Sequence, residues 1–321
     1  MKIDVHNHVL PQSAVEVMRG DPGYGMQIEG DQLTGGNHPL FPWSPSFHDP
    51  EAKVAELESK GLDGTVLSTA PPLFFYNLDQ HRGERISRAT NQGLKDFAAA
   101  HPDRFRWMAT LPMADPGRVP AFLEEAVADG AVGVEVGTNI AGRRLDEAEY
   151  EPFWAAAERL GVPVLIHPAF NEDNRGMSDF YFQNVIGNQL ETTIAIERLI
   201  ASGVLDRHPG VRVVLVHAGG YYPFQAGRLR HARTVRVELE DSPTDPWKYF
   251  GQVVVDTITH DTGTLRHLVS RVGRDNVVMG TDLPFDMATP KPMKMLEAAA
   301  DAETVRMIAE TNPTKLYRFD N

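Results

Sequence analysis

Two imidazoles stand two residues apart near the start of the chain, His6 and His8, behind a short apolar run. Side chains two apart on an extended strand point to the same face, so one cation could lie across the end of that strand between both rings. Three later positions repeat the grammar of an apolar run that ends in a polar residue before a turn. His167 closes Val-Pro-Val-Leu-Ile, His217 closes Val-Arg-Val-Val-Leu-Val, and Asp282 follows Val-Val-Met-Gly-Thr. Imidazole nitrogen and carboxylate oxygen suit zinc and similar divalent ions, whose catalytic sites keep one coordination position open for water or substrate. His6, His8, His167 and Asp282 are therefore read as ligands of one divalent metal, Zn2+ foremost with Mn2+ as the other choice. His217 is left beside it as an unbound acid or base.

Such a set needs several strands that deliver their ends to one place. Eight apolar runs qualify as buried strands, at residues 2–6, 64–68, 104–111, 132–137, 162–167, 211–217, 253–257 and 277–281, and helical patterns separate them. Clear helices are expected over residues 50–60, 84–100, 120–129 and 151–160. Eight strand and helix alternations favour an α/β protein with a closed (β/α)8 TIM-like barrel, whose C-terminal strand ends share one face. The chain is read as a single domain, residues 1–321, with one insertion at residues 12–49. That Gly- and Pro-rich stretch is too long for an ordinary loop, and is expected to form a β-hairpin turning near Gly30 and Asp31 over the barrel mouth. The segment after His167 carries Phe180, Tyr181 and Phe182 and reads either as a pocket wall or as simple packing beneath a long loop.

Composition narrows the partners. With 44 acidic against 31 basic residues and a net charge of −13, a nucleic-acid surface built on phosphate neutralisation is not expected. Four arginines do cluster between Gly227 and Arg236, read either as a solvated helix face or as a site for an anionic substrate. The absence of cysteine excludes disulfides, thiolate nucleophiles and sulfur-ligated metals. There is no apolar run of membrane-spanning length and no secretory leader pattern, which leads to the expectation of a cytoplasmic protein without a membrane partner.

Taken together, the motifs resemble the amidohydrolase superfamily, in its branch of metal-dependent decarboxylases that act on aminocarboxymuconate semialdehyde, 5-carboxyvanillate and γ-resorcylate. The resemblance runs from Met1-Lys-Ile-Asp-Val-His-Asn-His8 through Leu67-Ser-Thr-Ala-Pro71, residues 187–203, residues 217–228, Asp256-Thr-Ile-Thr-His-Asp261 and Gly280-Thr-Asp-Leu-Pro-Phe285 to Asn312-Pro-Thr-Lys-Leu-Tyr317. It implies the same four metal ligands, with His217 and Asp282 as the proton-moving catalytic pair. It also implies a homodimer in which Arg236 reaches the neighbouring subunit's site, and a small carboxylate substrate contacted by a basic residue at the position of Lys53. Lysine keeps the charge there but lacks the bidentate fork of the family arginine. Wall positions depart further: the family's His-Pro-Trp reads His167-Pro168-Ala169, with Phe170 next in the wall, a loop tryptophan is replaced by Asn184, and a tyrosine after the metal aspartate by Leu283. Glu135 falls where binuclear members place a bridging ligand. The function implied is non-oxidative decarboxylation of an unsaturated or aromatic carboxylic acid. The alternative is hydrolysis or hydration of a lactone, amide or conjugated acid by the same ligands.

Overall fold

A computed structural model describes residues 1–35, 38–169, 176–242 and 245–320. Its centre is one sheet of eight parallel strands in sequence order: β1 (Ile3–Val9), β2 (Gly64–Thr69), β3 (Phe105–Ala109), β4 (Gly133–Gly137), β5 (Val164–His167), β6 (Val213–Leu215), β7 (Val253–Asp256) and β8 (Val277–Val278). Parallel neighbours require crossovers, which here are helices laid on the outside. The sheet closes on itself where the Val5 N–H donates to the Met279 carbonyl at 2.9 Å, the His8 N–H to Leu283 at 2.7 Å and the Asp282 N–H to His6 at 2.9 Å. The expected (β/α)8 barrel is present.

Inside the cylinder Ile3, Val5, Val66, Leu165, Val214, Val254 and Val278 form a dry plug. Strict alternation from Ile3 and Val5 would turn Asn7 inward and both histidines outward. The register of β1 against β2 slips between Asp4 and Asn7, and this bulge turns His6 and His8 inward instead. The outer helices, among them α2 (Pro50–Ser59), α3 (Gln80–Ala100), α4 (Val119–Ala128), α5 (Glu151–Leu160), α6 (Gln189–Ala201) and α7 (Tyr222–Val235), lie close to the predicted bounds where these were drawn.

Residues 12–49 hold more than a hairpin. The helix α1 (Gln12–Gly20) comes first and buries Ala14, Val15 and Met18. Strands Met26–Glu29 and Gln32–Gly35 then pair antiparallel about Gly30 and Asp31, with Gly30 at φ 61°, and His38–Pro42 adds a third strand. A second apolar cluster that includes Leu33, Phe41 and Phe47 joins this insertion to Leu73 and Phe75. Among the described residues no helix is long and apolar enough to cross a membrane.

Candidate metal centre

His6 and His8 lie within β1, His167 ends β5 and Asp282 follows β8, and their ligand atoms all lie within 4.8 Å of one another. His6 Nε2 is 3.1 Å from His8 Nε2, and Asp282 Oδ1 is 3.1 Å from His8 Nε2 and 3.4 Å from His6 Nε2. Ligands bonded at about 2.1 Å around a single ion stand roughly 3.0–3.4 Å apart. The spacing of His6, His8 and Asp282 therefore fits a shared coordination sphere.

The outer nitrogens decide which way the inner ones face. His8 Nδ1 donates to the Thr69 carbonyl at 2.9 Å, His167 Nδ1 to the Pro168 carbonyl at 2.7 Å, and His6 Nδ1 to Asp256 Oδ2 at 2.8 Å. Each of these bonds occupies the outer nitrogen and turns Nε2 inward as the atom left to ligate. Three Nε2 atoms and a carboxylate then converge on one spot. His167 Nε2 is buried there without a hydrogen-bond partner, an orphan that a cation would satisfy. The donor set and its geometry fit a divalent ion.

Electrostatics agree. Burial alone would disfavour a charged His6, but the hydrogen bonds to Asp256 and Asp282 outweigh it and push that imidazole up to about 10. Burial and the surrounding imidazoles hold His167 well below its ordinary value, so it is neutral. Asp282 is likewise opposed by burial, yet bonds from His217, His6 and His8 keep it well below the usual carboxylate range. Asp256 and Asp282 thus hold positive charge at His6, while burial keeps His8 and His167 neutral.

His217 stands at the rim, its Nε2 3.4 Å from Asp282 Oδ2 and its ring 5.2 Å from that of His167. The two carboxylate oxygens of Asp282 are in this way divided, Oδ1 toward the ligand imidazoles and Oδ2 toward His217. A tight turn places His217: it and Ala218 adopt φ of 52° and 59°, followed by Gly219 and Gly220 at 77° and 63°. A side chain at Gly220 would meet the Gln189 carbonyl at 2.4 Å, so the Gly there is required. Asp282 also sits in the left-handed region, at φ 68°. Such backbone costs on the order of 1 kcal/mol per non-glycine residue and is characteristic of functional turns.

One residue at the centre escaped the sequence reading. Asp256, at the end of β7, accepts four hydrogen bonds: from His6 Nδ1, from the backbone N–H of His217 at 3.0 Å, of Ala218 at 2.7 Å and of Ile258 at 3.0 Å. It orients the candidate ligand His6 and the turn that carries His217 at once. Its signal was present in the sequence, since Val-Val-Val-Asp repeats the grammar of the other ligand strands.

The centre opens into a cavity of about 440 Å³ walled by Leu40, Phe41 and Phe47 of the insertion, Pro71 and Pro72 after β2, Tyr181, Asn184 and Asn188 after β5, and Phe285 after β8. Ser44 and Asp286 add polar groups to a wall that is otherwise mostly apolar away from the metal centre and the asparagines. Of the predicted substrate contacts, Asn184 lines this cavity, whereas the other described ones lie elsewhere. Lys53 is fully buried, its Nζ 2.7 Å from Asn7 Oδ1 and 3.0 Å from Glu56 Oε2. The Leu283 side chain is buried and offers the centre only its carbonyl, which holds the His8 N–H. Arg236 lies on the surface just after α7, paired with Glu238. Phe170 lies outside the described residues. Glu135 is buried behind His8, 3.9 Å from Nδ1, the nitrogen that faces away from the cluster, and burial pushes its carboxyl up to about 8.

Comparisons with known proteins place this centre in context. The family model described as Amidohydrolase matches residues 3–319. The chain is 29% identical to 2-amino-3-carboxymuconate-6-semialdehyde decarboxylase of Dictyostelium discoideum, across 95% of this chain and 88% of that protein. It is 30% identical to gamma-resorcylate decarboxylase of Rhodococcus jostii, across 84% of this chain and 88% of that one. In fold it resembles 5-carboxyvanillate decarboxylase from Novosphingobium aromaticivorans, a structure complexed with manganese and 4-hydroxy-3-methoxy-5-nitrobenzoic acid. The TM-score is 0.84 at 20% identity, with 99% of this chain and 96% of that chain covered. A family match over nearly the whole length, on a barrel whose strand ends gather three imidazoles and a carboxylate, makes this chain a member of the amidohydrolase family.

Proposed function

We propose that this protein is a metal-dependent carboxy-lyase that removes carbon dioxide, without oxidation, from an unsaturated or aromatic carboxylic acid with an oxygen or nitrogen substituent beside the carboxylate. The observation that carries the reading is the cluster of His6, His8, His167 and Asp282, with His217 at its rim, at the base of a cavity walled by aromatic and proline side chains. The decarboxylase names of both curated relatives support it. Those four residues would hold one divalent ion, and Zn2+ and Mn2+ both suit such donors; the manganese of the 5-carboxyvanillate enzyme supports the second. When bound, the ion supplies charge stabilisation for the electron pair left behind as carbon dioxide departs.

The chain's own residues do the rest. The substrate's C–COO bond breaks, its electron pair stays on the carbon, and a proton must reach that carbon. The His217 and Asp282 pair holds this proton, between Nε2 and Oδ2. Phe41, Phe47 and Phe285 stack around the planar acid and exclude water, which favours conversion of a charged carboxylate into neutral carbon dioxide. Asn184 offers an amide to a ring substituent. We assign Arg236 to a second subunit's site in a homodimer, a role its exposed position between the exposed Val235 and Val237 supports.

The test is metal analysis of the purified protein followed by a screen of ortho-substituted aromatic and muconate-type acids for carbon dioxide release. Turnover of at least one such acid with loss of carbon dioxide is expected. Failure of every acid, with turnover of a lactone instead, would overturn the reading in favour of a hydrolase.

A further inference from the structure

Behind the ligands, on the outer side of β1, runs a second polar array that faces neither the ion site nor the cavity. Lys53 Nζ reaches from α2 to Asn7 Oδ1 at 2.7 Å and to the His8 carbonyl at 3.3 Å, and is paired with Glu56. Asn7 Nδ2 donates to Asp4 Oδ2 at 2.8 Å, and Thr281 Oγ1 donates to the same oxygen at 2.5 Å. Asp4 Oδ1 in turn accepts the His6 N–H at 3.1 Å, and Thr281 Oγ1 accepts the Leu283 N–H at 3.2 Å. Asp4, Asn7, Lys53 and Thr281 are all fully buried.

Burying a lysine and an aspartate is expensive and is sustained only where each group is bonded on all sides. A structural core would be better served by apolar side chains of the same volume. The array instead touches every backbone segment that carries the first and last ligands: Asp4 and Asn7 bracket the bulge that turns His6 and His8 inward, and Thr281 adjoins Asp282. From this juxtaposition we infer that Lys53, Asn7, Asp4 and Thr281 form a strap that sets the spacing between the β1 imidazoles and the Asp282 carboxylate, with Lys53 a positioning residue and not a substrate contact. The inference rests on the metal-centre reading.

The experiment measures the dissociation constant of the metal-stripped protein for Zn2+ and Mn2+ alongside KM and kcat. Wild type is titrated first; no binding there would sink the metal-centre reading, and the strap with it. Lys53→Met keeps the stem and removes the charged head, and is expected to weaken binding of the ion 10–100-fold, the range seen when a group orienting a ligand is lost. Thr281→Val, of nearly the same shape, tests the other end should the lysine variant fail to fold, and Thr281→Ser is expected to restore affinity. An unchanged metal constant with a raised KM would make Lys53 a substrate contact and overturn the strap. A lowered melting temperature with an unchanged metal constant would reduce it to a structural element, and overturn it equally.

Discussion

Replacing Asp256 with asparagine tests the logic of the centre most sharply, because the change keeps shape and removes one charge. Asp256 Oδ2 receives His6 Nδ1 and the His217 N–H, while Oδ1 receives the N–H groups of Ala218 and Ile258. Asparagine has a single oxygen. With that oxygen toward Ala218 and Ile258, the amide NH2 faces His6 Nδ1, which must then accept, and the imidazole proton moves to Nε2. A protonated Nε2 cannot ligate. With the oxygen toward His6, two backbone donors of the turn confront an NH2 instead, and His217 loses its placement. Loss of a carboxylate behind a ligating histidine typically weakens metal binding 10–100-fold, or about 1.4–2.7 kcal/mol. Competition between the stripped variant and a chromogenic chelator gives the constant, and thermal unfolding without metal shows whether the fold survived. Affinity within about twofold of wild type, in a folded variant, would refute the claim that Asp256 fixes the His6 tautomer.

Three further outcomes follow from the same geometry. His217→Ala is expected to lower kcat by roughly 10²–10⁴-fold while metal content stays near normal; loss of the ion on elemental analysis would make His217 a ligand. Because His6 is held up to about 10 without the ion, ligation at pH 7 must displace about one proton, and affinity should tighten roughly tenfold per pH unit toward that value. By the same sign, the proton on His6 stabilises the ion-free protein fully below the unfolded value of about 6.5, and that contribution fades as pH rises through the folded one. Calorimetry in buffers of different ionisation enthalpy reads the proton, and zero net release would contradict it. In Gly280→Ala the new methyl would lie 2.8 Å from Asp256 Cβ and 3.0 Å from His6 Cβ. Overpacking of this kind costs about 1–3 kcal/mol, so a lowered melting temperature is expected, and an unchanged one would show that β7 and β8 yield freely.

What could be read from the chain divides along a physical line. The barrel strands were legible because most are short Val, Ile or Leu runs buried on both sides, as in Val164–His167. Their ends were less so: β6 stops at Leu215 rather than reaching His217, because the left-handed turn takes the chain out of the ladder. The helix Gln12–Gly20 passed unseen within the insertion, although Ala14, Val15 and Met18 fall on one helical face behind Pro11. At the centre, the residues proposed to hold an ion announce themselves by type and place, as His6, His8, His167 and Asp282 do. Residues that serve those ligands do not. Asp256 meets His6 across 250 positions of sequence, and only the folded chain shows that Lys53 turns toward Asn7 instead of the cavity.

The joint between β1 and β8 carries a last consequence. His6 and His8 belong to the first strand and Asp282 follows the last, so three of the four proposed ligands straddle the one place where the cylinder must be fastened shut. An ion held there acts as a rivet across that gap. Such an ion would be captured fully only once the final strand has docked against the first, so uptake would report that folding is complete, and part of its binding energy would go into keeping the ring from springing open.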